Sequence, residues 1–172
     1  TGLIEWIYIN EGRGTPHPFE QFGAPWIDAD DLKKLIDSFN LPYIKIHTPT
    51  YTPVSGLYAH EKCNGIFLEI THRAKLKSVE MGIMHLKALW LVYHEKIEER
   101  FYETVANPKG ANQLDKLLGI PGALARIKMQ ESIETDLQEN WKNAIRDFLL
   151  YWYCWRGKVY FNIFFATKTR RH

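Results

Sequence analysis

The sequence predicts an α/β fold, a mixed small sheet with flanking helices. Two observations point to it. Short runs rich in β-branched and aromatic residues, at 3–9, 43–47 and 66–70, alternate with longer stretches whose apolar residues recur at helical spacing, at 29–39 and 78–100. Between them lie segments dense in Pro, Gly and Asn, which punctuate rather than continue regular structure.

Taken in order, residues 3–9 (Leu-Ile-Glu-Trp-Ile-Tyr-Ile) read as a buried strand running into Asn10-Glu11-Gly12-Arg13-Gly14-Thr15, where two glycines permit a tight backbone path. A strand at the very start needs sheet partners from elsewhere, so truncation is expected. Pro16, Pro18 and Pro25 mark an irregular loop. Asp28 is then a good N-cap for a helix over 29–39, with Leu32, Leu35, Ile36 and Phe39 on one face and Asn40 and Pro42 ending it. A strand at 43–47 and a long loop precede the strand at 66–70, where Phe67 and Glu69 face away from Ile66, Leu68 and Ile70. Ser78 is an acceptable N-cap for a helix to about residue 100, its stripe being Val79, Ile83, Leu86 and Trp90, broadened by Leu89 and Tyr93. After the turn at 107–110 come short helices near 112–118 and 121–129, with Pro121 at the first helical position, and a longer one over 134–151. Residues 152–172 are strand-like and unusually aromatic.

The balance of charge narrows the function. With 22 Lys and Arg against 20 Asp and Glu, the net charge of +2 favours neither a nucleic-acid groove nor an acidic partner. The basic cluster at 168–171 reads as a solvated tail. No apolar run reaches the roughly 18–20 residues that span a bilayer. Cys63 and Cys154 lack metal-ligand spacing and Cys63 lacks a nucleophile context; a disulfide between them stays open. The histidines show no paired ligand spacing and read as surface or capping residues, so no metal or cofactor is expected.

The densest polar constellation is Glu5, Asn10, Glu11 and Arg13. A guanidinium between two glycines can approach a carboxylate or phosphate bidentately, or it can pin its own loop. The Gly-Arg-Gly lacks the third glycine and following helix of a dinucleotide site, and the Lys of a phosphate loop. The loop from Thr48 to Cys63 is the second candidate: Tyr58 and His60 there suit stacking on, or hydrogen bonding to, a sugar, and packing alone would also explain them.

Two strings carry a resemblance. One is Glu11-Gly12-Arg13-Gly14-Thr15 with Pro18-Phe19-Glu20 and Gly23-Ala24-Pro25-Trp26-Ile27; the other is Thr52-Pro53, Tyr58, Cys63-Asn64-Gly65-Ile66 and Ile70-Thr71-His72-Arg73. Asn112-Gln113-Leu114-Asp115-Lys116-Leu117 with Gly119, and Trp141, extend it. Over about residues 3–148 the chain resembles the NamZ-type exo-β-N-acetylmuramidases of bacterial cell-wall recycling.

The resemblance implies a C-terminal domain of a two-domain protein. Residues 1–27 would be the tail of a Rossmann-like catalytic domain, 28–150 the C-terminal domain, and 151–172 an atypical tail. It implies a fragment of a glycoside hydrolase releasing terminal N-acetylmuramic acid, with the principal catalytic acid in a missing N-terminal domain and this chain alone inactive. Substrate contacts would come from Glu5, Asn10, Glu11, Arg13, Thr15, Tyr58 and His60, and Arg13 would pair with the lactyl carboxylate. A periplasmic or secreted location follows. Trp6-Ile7-Tyr8 stands where the family has Gly-Thr-Asn, and His72 where it has Asp. The other reading is a non-catalytic module that binds cell-wall sugar or docks another domain.

Overall fold

The computed structural model describes residues 2–101, 103, 105 and 107–133. The helix expected over 134–151, the aromatic tail, Trp141 and Cys154 lie outside these residues.

Four strands make one sheet: β1 (Gln21–Ala24), β2 (Ile44–His47), β3 (Thr50–Tyr51) and β4 (Cys63–Ile70). β4 is the centre. β1 pairs along one edge, while β2 and β3 pair with it in succession, every described pairing being antiparallel. The alternation read from the sequence holds. Ile66 and Leu68 are buried while Phe67 and Glu69 are only partly so, and the register sets Lys45 opposite Glu69 and His47 opposite Phe67 on the outer face. Lys45 and His47 both bond the Glu69 carboxylate, at 3.1 and 2.9 Å, and these contacts hold it below the usual carboxylate range.

The inner face carries Phe22, Ala24, Ile46, Ile66 and Leu68, which join one core with α1 (Ala29–Ser38) and α2 (Ser78–Tyr93). Asp28 caps α1 as expected, its carboxylate accepting from the N–H groups of Asp30 and Asp31, and Leu32 and Ile36 are fully buried. Each such aliphatic side chain contributes about 1.5–3 kcal/mol by leaving water. The Tyr93 hydroxyl donates to the Asp28 carbonyl and accepts from its N–H, at 3.0 and 2.8 Å, tying the end of α2 to the start of α1.

Several expectations are corrected. Residues 3–9 are not a strand: a 3-10 turn at Gly2–Ile4 leads into irregular backbone with isolated bridges, Ile7 to Glu99 and Asn10 to Gly23. The residue types do report burial, since Ile4, Trp6, Ile7 and Ile9 are all in the core. Their backbone partners come from both sides: Tyr8 N–H donates to Glu98, Arg100 N–H donates to Trp6, and Asn10 exchanges bonds with Gly23. Side chains from residues 2–27 and from 28–133 both contribute to this core. The same pairing explains why α2 stops at Tyr93 rather than near 100, because 98–100 is drawn off as an extended partner.

Ser78 is the first helical residue of α2, not its cap, and no side chain caps that end. The buried stripe is rotated from the expected one: Val79 is exposed, and Met81, His85 and Ala88 are inside. Two short helices follow, α3 (Gln113–Leu118) and α4 (Ala123–Lys128); Pro121 lies in the turn before α4, because Gly122 takes a left-handed conformation. No helix among the described residues is long and apolar enough to cross a membrane.

Candidate functional site

The two loops singled out in the sequence are one structure. After Asn10 pairs with Gly23, the backbone turns back on itself through Gly12 (φ 84°) and Gly14 (φ 76°), a region where side chains with a Cβ are strained. Gly14 lies directly against the second loop. Its carbonyl accepts from Val54 N–H at 2.8 Å, and a Cβ on it would fall 2.3 Å from the Ser55 carbonyl oxygen.

Asn10 locks this arrangement. Its amide nitrogen donates to the carbonyls of Arg13 (3.2 Å) and Leu57 (2.9 Å), and its amide oxygen accepts from Gly12 N–H (2.8 Å) and the Tyr51 hydroxyl (3.2 Å). It is wholly buried and its hydrogen-bonding capacity is filled. Burial, with Cys63 and Glu11 nearby, pushes the Tyr51 hydroxyl up, so it remains a donor. Thr15, half-buried, also bonds within the loop: it donates to the Gly12 carbonyl (2.7 Å) and accepts from His17 N–H (3.1 Å) and Gln21 Nε2 (3.0 Å).

Arg13 projects from this frame and is 55% exposed as a side chain. Its Nε bonds buried Glu11 at 3.0 Å and its Nη2 pairs with Glu5, which is 27% exposed. The guanidinium lies over the Phe19 ring at 5.2 Å. Arg13 does pin its surroundings, but through carboxylates rather than backbone carbonyls. Nη1 has no partner among the described residues. One guanidinium between two carboxylates leaves the trio net negative.

Tyr58 donates to the Tyr8 carbonyl (3.0 Å) and accepts from the Trp26 indole N–H (3.2 Å), so its hydroxyl is engaged; burial is the main cause raising its pKa. His60 is exposed, with φ 66°, and its N–H bonds the Pro53 carbonyl. Of the seven residues proposed from the sequence, Glu5, Arg13 and His60 thus retain exposed polar surface, while Asn10, Glu11, Thr15 and Tyr58 hold the frame.

Two buried groups stand apart. Cys63 is a free thiol whose pKa burial raises to about 11, which keeps it protonated and a poor nucleophile. His85, expected at the surface, is 1% exposed. It sits in the apolar face of α2, edge-on to Phe22 at 5.7 Å, with Nδ1 2.6 Å from the Met81 carbonyl and Nε2 unpartnered among the described residues. Its signal in the sequence was its place inside the apolar run of 83–93. No group of three or more acidic, His or Cys side chains among the described residues is arranged to hold a metal.

Fold and loop together define a small α/β domain that presents a glycine-flanked arginine braced by two glutamates. The family model described as "Exo-beta-N-acetylmuramidase NamZ, C-terminal" matches residues 1–151, and the chain belongs to that family. The peptidoglycan β-N-acetylmuramidase NamZ of Bacillus subtilis (strain 168) is 34% identical over 134 residues, which is 78% of this chain and 30% of the relative. The chain thus spans under a third of that relative's length. The crystal structure of a DUF1343 family protein from Bacteroides fragilis NCTC 9343 shares the fold with a TM-score of 0.61 and 18% identity, over 86% of this chain and 36% of that one.

Proposed function

We propose that this chain forms one wall of the substrate cleft of a peptidoglycan exo-β-N-acetylmuramidase, the other wall and the principal catalytic acid belonging to an N-terminal domain that residues 1–27 lead out of. The carrying observation is the braced arginine: Glu11 holds Nε at 3.0 Å, and the side chain is 55% exposed with Nη2, on its outer edge, paired to Glu5. That edge suits the lactyl carboxylate, which distinguishes muramic acid from glucosamine, in bidentate geometry. Glu5, the more exposed partner, gives way to the ligand acid and then accepts from sugar hydroxyls. Asn10, Thr15 and Tyr58 act as positioning residues, and His60 lies at the rim. Glycosidic cleavage also needs a protonated acid at the leaving oxygen, so this chain alone is expected to show no turnover. A peptidoglycan-derived substrate is consistent with a periplasmic or secreted location.

Calorimetric titration tests the reading. N-acetylmuramic acid should bind the chain measurably, Arg13→Gln should weaken that binding, and the affinity for N-acetylglucosamine should not respond to the substitution. N-acetylmuramic acid binding that survives Arg13→Gln, or an equal loss for both sugars, contradicts the assignment.

A further inference from the structure

A groove of about 430 Å³ opens at the head of α1, bordered by Pro25, Trp26, Thr48, Thr50 and Asn64 together with residues 27–30. That volume is within the range of about 300–1,000 Å³ usual for small-molecule sites. The groove is separate from the arginine loop. Thr50 and Tyr51 are neighbours on β3, so their side chains leave on opposite faces: Thr50 lines the groove, and Tyr51 reaches Asn10.

The lining decides what fits. Trp26 is half-buried and its ring is held at two points, by the indole N–H on the Tyr58 hydroxyl and by an edge contact with Tyr93 at 5.3 Å and 66°. Asn64 is set by Thr50, which donates to its oxygen at 3.1 Å, and by the Ile27 carbonyl, 3.4 Å from its nitrogen. The Thr48 hydroxyl and the Asp30 carboxylate make no hydrogen bond with a described residue. Among the described residues no Lys, Arg or His borders the groove, and the leading N–H groups of α1 are already taken by Asp28. An anion therefore finds no donor cluster there. A fixed aromatic ring beside hydroxyl, amide and carboxylate groups suits an uncharged pyranose: its C–H face lies on the indole, and its hydroxyls bond Thr48, Asn64 and Asp30.

We propose that this groove is a second saccharide subsite, selective for an uncharged pyranose and separate from the Arg13 site. It rests on the reading of the chain as part of a saccharide-processing protein, and it adds a site that rejects the acid-bearing sugar.

Amide and indole chemical-shift mapping of the full chain tests it, with the β-1,4-linked disaccharide of N-acetylglucosamine as probe. Shifts should cluster at Trp26, Thr48, Thr50 and Asn64. Thr48→Val should weaken binding roughly three- to tenfold, as loss of one hydrogen bond does, and Trp26→Leu should abolish it. Arg13→Gln should leave it unchanged, and N-acetylmuramic acid should leave the groove resonances still. Absence of groove shifts at millimolar disaccharide, or shifts insensitive to Thr48→Val in a folded protein, overturns the proposal. Groove binding without any response at residues 12–15 to N-acetylmuramic acid would instead count against the Arg13 assignment alone.

Discussion

Replacing Gly14 by Ala tests whether the arginine loop is clamped onto the second loop as described. Two penalties arise. At φ 76° an alanine occupies the left-handed region, which costs about 1–2 kcal/mol. Its Cβ would also stand 2.3 Å from the Ser55 carbonyl oxygen and 2.7 Å from the Ser55 nitrogen, both backbone atoms that cannot swing aside. Relieving that contact separates the loops and breaks the bond from Val54 N–H to the Gly14 carbonyl, worth about 1 kcal/mol. The sum is about 2–3 kcal/mol. Gly119→Ala is the internal control: Gly119 has φ 69° but an added Cβ would meet no described residue within 4 Å, so it incurs the backbone penalty alone. Gly2→Ala, with no such neighbour and no left-handed φ, should be close to neutral. Urea denaturation of the three variants should rank them Gly14, Gly119, Gly2 in decreasing loss. Gly14→Ala no more destabilising than Gly119→Ala would refute the clamp.

Three further outcomes follow from individual groups. Burial lowers the His85 pKa from 6.5 to about 4, so on acidification the unfolded chain takes up the proton before the folded one; stability present above pH 6.5 should be lost as pH falls towards 4, by up to about 3 kcal/mol. A urea series at stepped pH checks this, and a His85→Leu variant should lose that share of the slope. Asp28→Ala removes the cap of α1 and should cost about 1 kcal/mol, with Asp28→Asn retaining most of it, as read by thermal melting. Because Glu5 competes for the outer edge of Arg13, Glu5→Gln should tighten N-acetylmuramic acid binding several-fold, since a like charge about 4 Å away in water is worth roughly 1 kcal/mol; weaker calorimetric binding would show that Glu5 helps rather than competes.

What was legible in the sequence was local. The cap at Asp28 acts through the next residues of α1, the alternation from Ile66 to Glu69 follows from the strand period, and the left-handed turns fall at the two glycines flanking Arg13. Residues 3–9 were misread because β-branched and aromatic residues mark burial in any backbone conformation, and the conformation here is set by Glu98 and Arg100. The site divided in the same way. The arginine and its two acids lie close in sequence and were visible together. That Asn10 is filled by Leu57 and Tyr51, and Thr15 by Gln21, depends on side chains and carbonyls brought in by folding. Residue type alone does not show that these polar groups bond within the loop frame. His85 hid for the converse reason, its polar ring lying on an apolar helix face.

The central claim is that Arg13 receives the acid of a muramic acid residue. A crystal structure of the chain soaked with N-acetylmuramic acid tests it most directly. The lactyl carboxylate should lie on the outer edge of the Arg13 guanidinium, with Glu5 turned away and the bond from Glu11 to Nε intact. Sugar bound elsewhere, with the pair from Glu5 to Arg13 undisturbed, would contradict it.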